Sequence, residues 1–316
     1  MDRLNNFWFA AQAETTINHW KTNYPDSCAH VMAQASNICQ NTFVFREHWE
    51  MERTNEAVTF PGKVIWDHMP AGDPEWIYAL NRHTCFLILG KAWRLTGDET
   101  YAAKFVELLS GWIDQCPLTD ESRNNTWRSL EAGIRIENWL KSFILFSNSP
   151  LFTNKLRERA DQVLRLHANY LMEVNLPFHH LSNWGVLQNH GLALLGLYFD
   201  NPEWVRESVR RLDEETYMQV FSDGTQWEQS PMYHCEVMYA LMDSLLHLKR
   251  FDKPVPKRLT EAVHQMVYTL AYWCKPNGHI PCQGDSDDID ARDQISMGAM
   301  LFNDETLKFL SQGVID

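Results

Sequence analysis

The feature that most constrains this chain is the spacing of its apolar residues, which recurs at the helical period nearly throughout. An acidic N-cap at Asp98 leads to Tyr101, Phe105, Leu108, Leu109 and Trp112, in steps of four, three, one and three. Leu156, Ala160, Val163, Leu164, His167, Tyr170, Leu171 and Val174 repeat the stripe. The same spacing predicts helices over 4–21, 27–40, 76–95, 127–146, 185–199, 203–220, 233–249 and 257–273. Gly97-Asp98, Asn148-Ser149-Pro150 and Asp200-Asn201-Pro202 punctuate them. No segment alternates strictly for long, so no sheet is expected before the end of the chain. Successive helices with short links pack as antiparallel pairs, which makes the expected class all-α.

Composition bounds the function. Twenty-eight basic against 41 acidic residues give a net charge of −13, and no basic tract is present, which excludes a nucleic-acid backbone as partner. The apolar run Leu192 to Phe199 is far shorter than the ~20 residues of a membrane helix. Seven scattered cysteines without a Cys-x-x-Cys pair read as reduced thiols. Met1 to Asn6 lacks a basic region followed by an apolar stretch, so a cytoplasmic protein is expected, or a periplasmic or secreted one if a leader has been removed. Thirteen tryptophans and thirteen histidines stand out. Trp offers flat faces to sugar rings and His moves protons, although a large helical core also uses Trp.

Long polar and aromatic loops interrupt the helices at 41–75, 175–184, 221–232 and 275–290, where a helical scaffold carries a binding face. Gln188-Asn189-His190-Gly191 is read as opening one helix. Asp223 to His234 leads into another, with Ser230 as N-cap and Pro231 at the first helical position. Asn189 and His190 carry donors for an anionic group, and a helix N-terminus adds positive potential. Tyr233, in the first turn, has a hydroxyl that can move a proton if an electropositive site lowers its pKa. These roles suit β-elimination from a uronic acid: neutralise the carboxylate, remove the proton alpha to it, and protonate the leaving glycosidic oxygen.

Other readings stay open. Tyr or His in a first turn also packs or is solvated, and Asn caps helices. Glu131 and Arg135 stand one turn apart and can pair with each other, while Arg82, His83 and Arg128 near helix ends can meet carboxylates or sulfates. A glycoside hydrolase would use Asp223 with Glu228 or Glu131. His179, His180, His190, His234 and His279 match no standard metal spacing, so neither metal nor cofactor is expected. A non-catalytic glycan-binding module is the third possibility.

A resemblance adds to these readings. Phe43-Val44-Phe45 with Trp49-Glu50-Met51-Glu52, Pro74-Glu75-Trp76, Leu80-Asn81-Arg82-His83, Leu89-Gly90-Lys91-Ala92, Thr96-Gly97-Asp98-Glu99, Trp127 to Arg135, Asn189-His190, Asp223 to His234 and Gly284-Asp285-Ser286 occur in order. The chain resembles the helical N-terminal part of heparinase II/III polysaccharide lyases, of the heparan-sulfate lyase type. The resemblance implies a single, incomplete (α/α) toroid domain over 1–316. It also implies a lyase acting on low-sulfated heparan sulfate or a hyaluronan-like uronate, since the net negative charge disfavours a heavily sulfated chain. Asn189 would neutralise the carboxylate and Tyr233 would act as acid and base, beside His190. Arg82, His83, Trp127, Arg128, Glu228 and His234 are the expected substrate contacts. The family's C-terminal β-sandwich, which supplies a further His, has no counterpart here, so a fragment of a longer enzyme, inactive alone, is expected.

Overall fold

The structure is a computed structural model that describes residues 3–11, 13–47 and 53–312. The motif Trp49-Glu50-Met51-Glu52 lies outside the described residues. The helices group into two compact units, residues 1–170 and 171–316.

The first unit opens with α1 (Trp8–Ala11), α2 (Ala13–Asn23) and α3 (Pro25–Cys39). A hairpin follows, β1 (Thr42–Phe45) antiparallel to β2 (Thr54–Thr59), with Thr42 opposite Thr59 and their hydroxyls 2.8 Å apart. This corrects the expectation that no strand would precede the chain's end. Four to six residues give too little alternation to register, yet Phe43 and Phe45 are buried, packed edge-on to Phe60 and Trp76.

The helix expected over 76–95 is two: α4 (Pro74–Arg82) and α5 (Thr84–Thr96). His83 between them adopts a left-handed backbone (φ 60°). Tertiary contacts hold that uncommon conformation: Trp139 Nε1 donates to His83 Nδ1 (2.8 Å), and the imidazole stacks on Phe86. α6 (Glu99–Gln115) starts at the Asp98 cap, whose carboxylate accepts from Thr100 N, and α7 (Ser129–Leu145) and α8 (Asn154–Glu173) follow. Helices α5, α6 and α7 bury Phe86, Phe105, Trp112 and Trp139 in one aromatic core, while Trp76 of α4 packs with Phe45, Phe60 and His68.

The second unit is centred on α9 (Asn183–Phe199), apolar almost all round and accordingly buried on nearly every face. It packs against α10 (Pro202–Gln219) and α11 (Pro231–Arg250). Asn201 caps α10 by accepting from Glu203 and Trp204 N–H, with Pro202 at the first position. α12 (Lys257–Trp273), α13 (Arg292–Phe302) and α14 (Glu305–Ser311) complete the unit. Among the described residues no helix is long and apolar enough to cross a membrane, and all seven cysteines are unpaired.

Candidate active site

The polar residues of the second unit converge on the N-terminal ends of α9 and α11. Ser230 caps α11, its hydroxyl accepting from Tyr233 N, and Pro231 occupies the first position, as the sequence predicts. The Ser286 hydroxyl accepts from Met232 N (2.8 Å) and lies 3.0 Å from that of Ser230. The motif Gly284-Asp285-Ser286 therefore serves this helix end. Glu228 accepts from Asn183 N (3.2 Å) and from its side-chain amide, which ties the start of α9 to the turn before α11. Gln226 and Gln219 extend the chain of bonds: Glu228 N donates to Gln226 Oε1, Gln226 Nε2 to Gln219 Oε1, and Gln219 Nε2 to the carbonyls of His180 and Ser182.

Asn189 does not open a helix; it is the seventh residue of α9, so the end-of-helix potential assigned to it from sequence does not reach it. The helix begins earlier because Glu228 completes its N-terminus. Asn189 is 2% exposed, and its Nδ2 donates to Glu215 Oε1 at 2.7 Å. Glu215 on α10 is fully buried, and burial pushes its carboxyl well above the usual carboxylate range despite the Asn189 amide and the more distant Arg211. His180 Nδ1 lies 3.7 Å from Glu215 Oε1. Gly185, one turn before Asn189, lets Glu215 come this close: a Cβ there would stand 2.4 Å from Glu215 Oε1 and 2.4 Å from the His179 carbonyl.

His190 faces a different partner. Its Nε2 lies 2.8 Å from Asp243 Oδ2, and His247 Nδ1 approaches the same oxygen at 3.2 Å. Burial opposes charge on Asp243, but His247 and His190 more than offset it and hold the carboxyl well below its ordinary range. Glu215 and Asp243 are the residues that sequence reasoning missed. Each is separated from its partner by 26 or 53 positions, and an acid on an amphipathic helix carries no local sign of it.

Three expected substrate contacts are core residues instead. His234 is 1% exposed: its Nδ1 accepts from Gln226 N, so the ring proton sits on Nε2, facing the Met266 carbonyl (3.1 Å). Burial lowers its pKa to about 4, which keeps it neutral. In the first unit, His83 is fully buried among Trp66, Trp112 and Trp139, and Trp127 is 1% exposed, its Nε1 donating to the Cys116 carbonyl. Neither ring has a face left for a sugar.

Arg82 and Arg128 meet at a carboxylate of the chain itself. Arg128 binds Glu131 bidentately (2.5 and 2.7 Å) and stacks on Tyr78, while Arg82 Nη2 adds a third contact at 3.2 Å. Burial works against the charge on Glu131, yet Arg128 and Arg82 lower its pKa below the ordinary value. The expected Glu131–Arg135 pair is not formed. Arg135 points inward, donating to His167 Nε2 and to the carbonyls of Asn81 and Thr126, with its guanidinium over Trp112. This also removes Glu131 from the carboxylates available to a hydrolase.

Among the described residues His190 and Asp243 belong to a group of possible metal ligands, and the other histidines considered for a metal take separate partners. His279 pairs with Asp288, His234 with Met266, and the ring of His179 tilts on Trp184. Asp223 is exposed and caps its own turn through Thr225 N.

Comparison with known proteins agrees with this architecture. The model of the heparinase II/III N-terminus matches residues 8–309. A heparin-sulfate lyase of Pedobacter heparinus is 29% identical over 234 residues, 71% of this chain and 35% of that protein. One of Bacteroides stercoris is 23% identical over 276 residues, 80% of this chain and 40% of the relative. The chain therefore spans well under half the length of these relatives. Among solved structures, heparinase III superposes with TM-score 0.77 at 23% identity, covering 90% of this chain and 46% of the other. An alginate lyase of Bacteroides ovatus gives TM-score 0.63 at 13% identity, covering 98% and 93%. These likenesses show the fold, antiparallel helix pairs of the (α/α) toroid class. The chain belongs to the heparinase II/III family of polysaccharide lyases, through that family's N-terminal helical region.

Proposed function

We propose that this chain carries the helical part of a glycosaminoglycan lyase that cleaves a uronic-acid-containing polysaccharide of low sulfation by β-elimination. The observation that carries the reading is that α9, which bears Asn189, packs against α11, which bears Tyr233, with the start of α9 tied through Asn183 and Glu228 to the turn before α11. In this mechanism the Asn189 amide donates toward the uronate carboxylate, lowering the cost of charge that builds there as the alpha proton leaves. The Tyr233 hydroxyl transfers the proton to the leaving glycosidic oxygen, and in its ionised form serves as base. His190, held by Asp243, stands beside Asn189 on the same helix and supports the carboxylate site.

The relatives' names supply the substrate class: both curated proteins are heparin-sulfate lyases. In the family a β-sandwich domain is expected to cover such a site and to supply a further His. An open site leaves bound sugar in water, where each electrostatic contact is weaker. The test is an ultraviolet assay for the 4,5-unsaturated product against heparan sulfate of graded sulfation, hyaluronan and alginate. It is run on the chain alone and on the chain joined to a β-sandwich domain of a family member. Tyr233→Phe should lower turnover about 10²–10⁴-fold with the fold intact, and Asn189→Ala should do likewise. Elimination that survives both substitutions, or that ignores reduction of the substrate's carboxylate to an alcohol, sinks the assignment.

A further inference from the structure

Glu215 presents a problem of charge. It is 0% exposed, and among the described residues no Lys or Arg forms an ion pair with it. On its own helix, Arg211 is spent on Glu207 and on the carbonyls of Leu171 and Met172, and Arg210 on Glu207 and Glu214. From α12, Arg258 is bound to Asp213. His180 is the one imidazole nearby, and burial lowers its pKa, so it does not supply a positive charge at neutral pH. From α9 only the Asn189 amide reaches the carboxyl, at Oε1. Two buried oxygens of this pair, Glu215 Oε2 and Asn189 Oδ1, have no hydrogen-bond partner. Both are acceptors, and a buried acceptor without a donor costs about 1–3 kcal/mol.

One proton resolves all of this. A carboxylic acid and a primary amide are complementary, the acid O–H donating to the amide oxygen while the amide N–H donates to the acid carbonyl. A proton on Oε2 removes the buried charge and gives the orphaned oxygens a donor to share. We propose that Glu215 is protonated in the working protein and, paired with Asn189 as acid and amide, is the positioning residue that fixes the orientation of the Asn189 side chain. The proposal rests on the lyase reading for its consequence: the amide's second N–H is held toward the substrate carboxylate, and no negative charge stands behind it to repel a uronate. Ionising Glu215 at alkaline pH would leave the same site with an uncompensated anion next to Asn189.

The experiment has two readouts on the intact chain, alone and joined to a family β-sandwich domain. Infrared difference spectra of wild type against Glu215→Gln report the protonated carboxyl directly and require no activity. A carbonyl band of a buried, protonated acid at neutral pH, absent from the variant, is expected; its absence overturns the proposal whatever the enzyme does. In the lyase assay, Glu215→Ala should lose roughly 10- to 100-fold in turnover, because the amide is released and a cavity opens. Glu215→Gln reproduces the acid's donor and acceptor pattern, so it should recover most of that loss. It should also lack the alkaline fall of wild type, which follows the pH at which Glu215 ionises. A Gln variant as impaired as Ala, or one that keeps the alkaline fall, overturns the positioning role. A band in wild type with no elimination of any polysaccharide in either form refutes the lyase reading and, with it, the role toward substrate, while leaving the buried proton established.

Discussion

Two glycine-to-alanine substitutions of identical chemistry should change stability in opposite directions. Gly185 lies in the first turn of α9 and Gly111 inside α6. In a helix interior alanine is favoured over glycine by up to about 1 kcal/mol. At Gly111 the new Cβ meets only the end of the Gln115 side chain, at 3.4 Å, and the Trp66 ring at 3.9 Å. A flexible amide yields cheaply, so Gly111→Ala should gain up to about 1 kcal/mol. At Gly185 the Cβ would lie 2.4 Å from Glu215 Oε1 and 2.4 Å from the His179 carbonyl oxygen, with that carbonyl carbon at 2.8 Å. The carbonyl cannot swing away freely, since it accepts from Ser182 N at 3.2 Å, and Glu215 is locked against Asn189. Overpacking of a rigid site costs about 1–3 kcal/mol, which outweighs the helix-propensity gain. Gly185→Ala is therefore expected to destabilise by up to about 2 kcal/mol, after the propensity gain is deducted. Urea unfolding at constant slope measures both changes as midpoint shifts. A Gly185→Ala protein as stable as wild type, alongside a stabilised Gly111→Ala, would refute the reasoning, because it would mean that Glu215 and the 179–182 turn are not packed against this helix.

Removing the carboxylate under Arg82 and Arg128 with Glu131→Gln should cost about 3 kcal/mol, because the buried Arg82 then lacks its counter-charge while the part-exposed Arg128 keeps only the longer contact with Glu75. By contrast Arg159→Ala, which breaks an exposed pair with Asp114, should cost under about 1 kcal/mol; equal losses in denaturation would contradict this ranking. His234 supplies a pH dependence. Its folded pKa of about 4 lies below the ordinary 6.5, so its contribution is complete above pH 6.5 and lost as the pH falls toward 4. The stability gap between wild type and His234→Phe should shrink by about 3 kcal/mol over that interval, and a gap independent of pH would show that His234 is not held neutral in the core.

Most helices were legible because their causes are local, although the stretches 4–21 and 76–95, expected as one helix each, are divided in the structure. The spacing of Tyr101, Phe105, Leu108 and Trp112, the Asp98 cap, the stop at Asp200-Asn201-Pro202 and the Ser230-Pro231 start all act within one or two turns, and the structure has each of them. Asn189 and Tyr233 were visible as residues with suitable chemistry in the right order, which is a property of the chain and of its resemblance to a family. What surrounds them was not visible. Glu131 takes Arg128, one turn before it, and Arg82, 49 positions away, because folding turns Arg135 inward to His167 and the carbonyls of Asn81 and Thr126. His83 interrupts a stripe that reads as one helix because an aromatic core, assembled from residues up to 56 positions away, holds its ring. The short hairpin of residues 42–59 is stabilised by packing of Phe43 and Phe45 against Trp76 and Phe60, which no run of four residues announces. The sequence by itself determined most of the helical segments, since hydrogen bonding along a helix is between neighbours, but not the break at His83 or the hairpin. Only the tertiary structure decided which buried charges are paired, and that Glu215 lies against Asn189, because the electrostatic environment of a side chain is set by whatever segments pack around it.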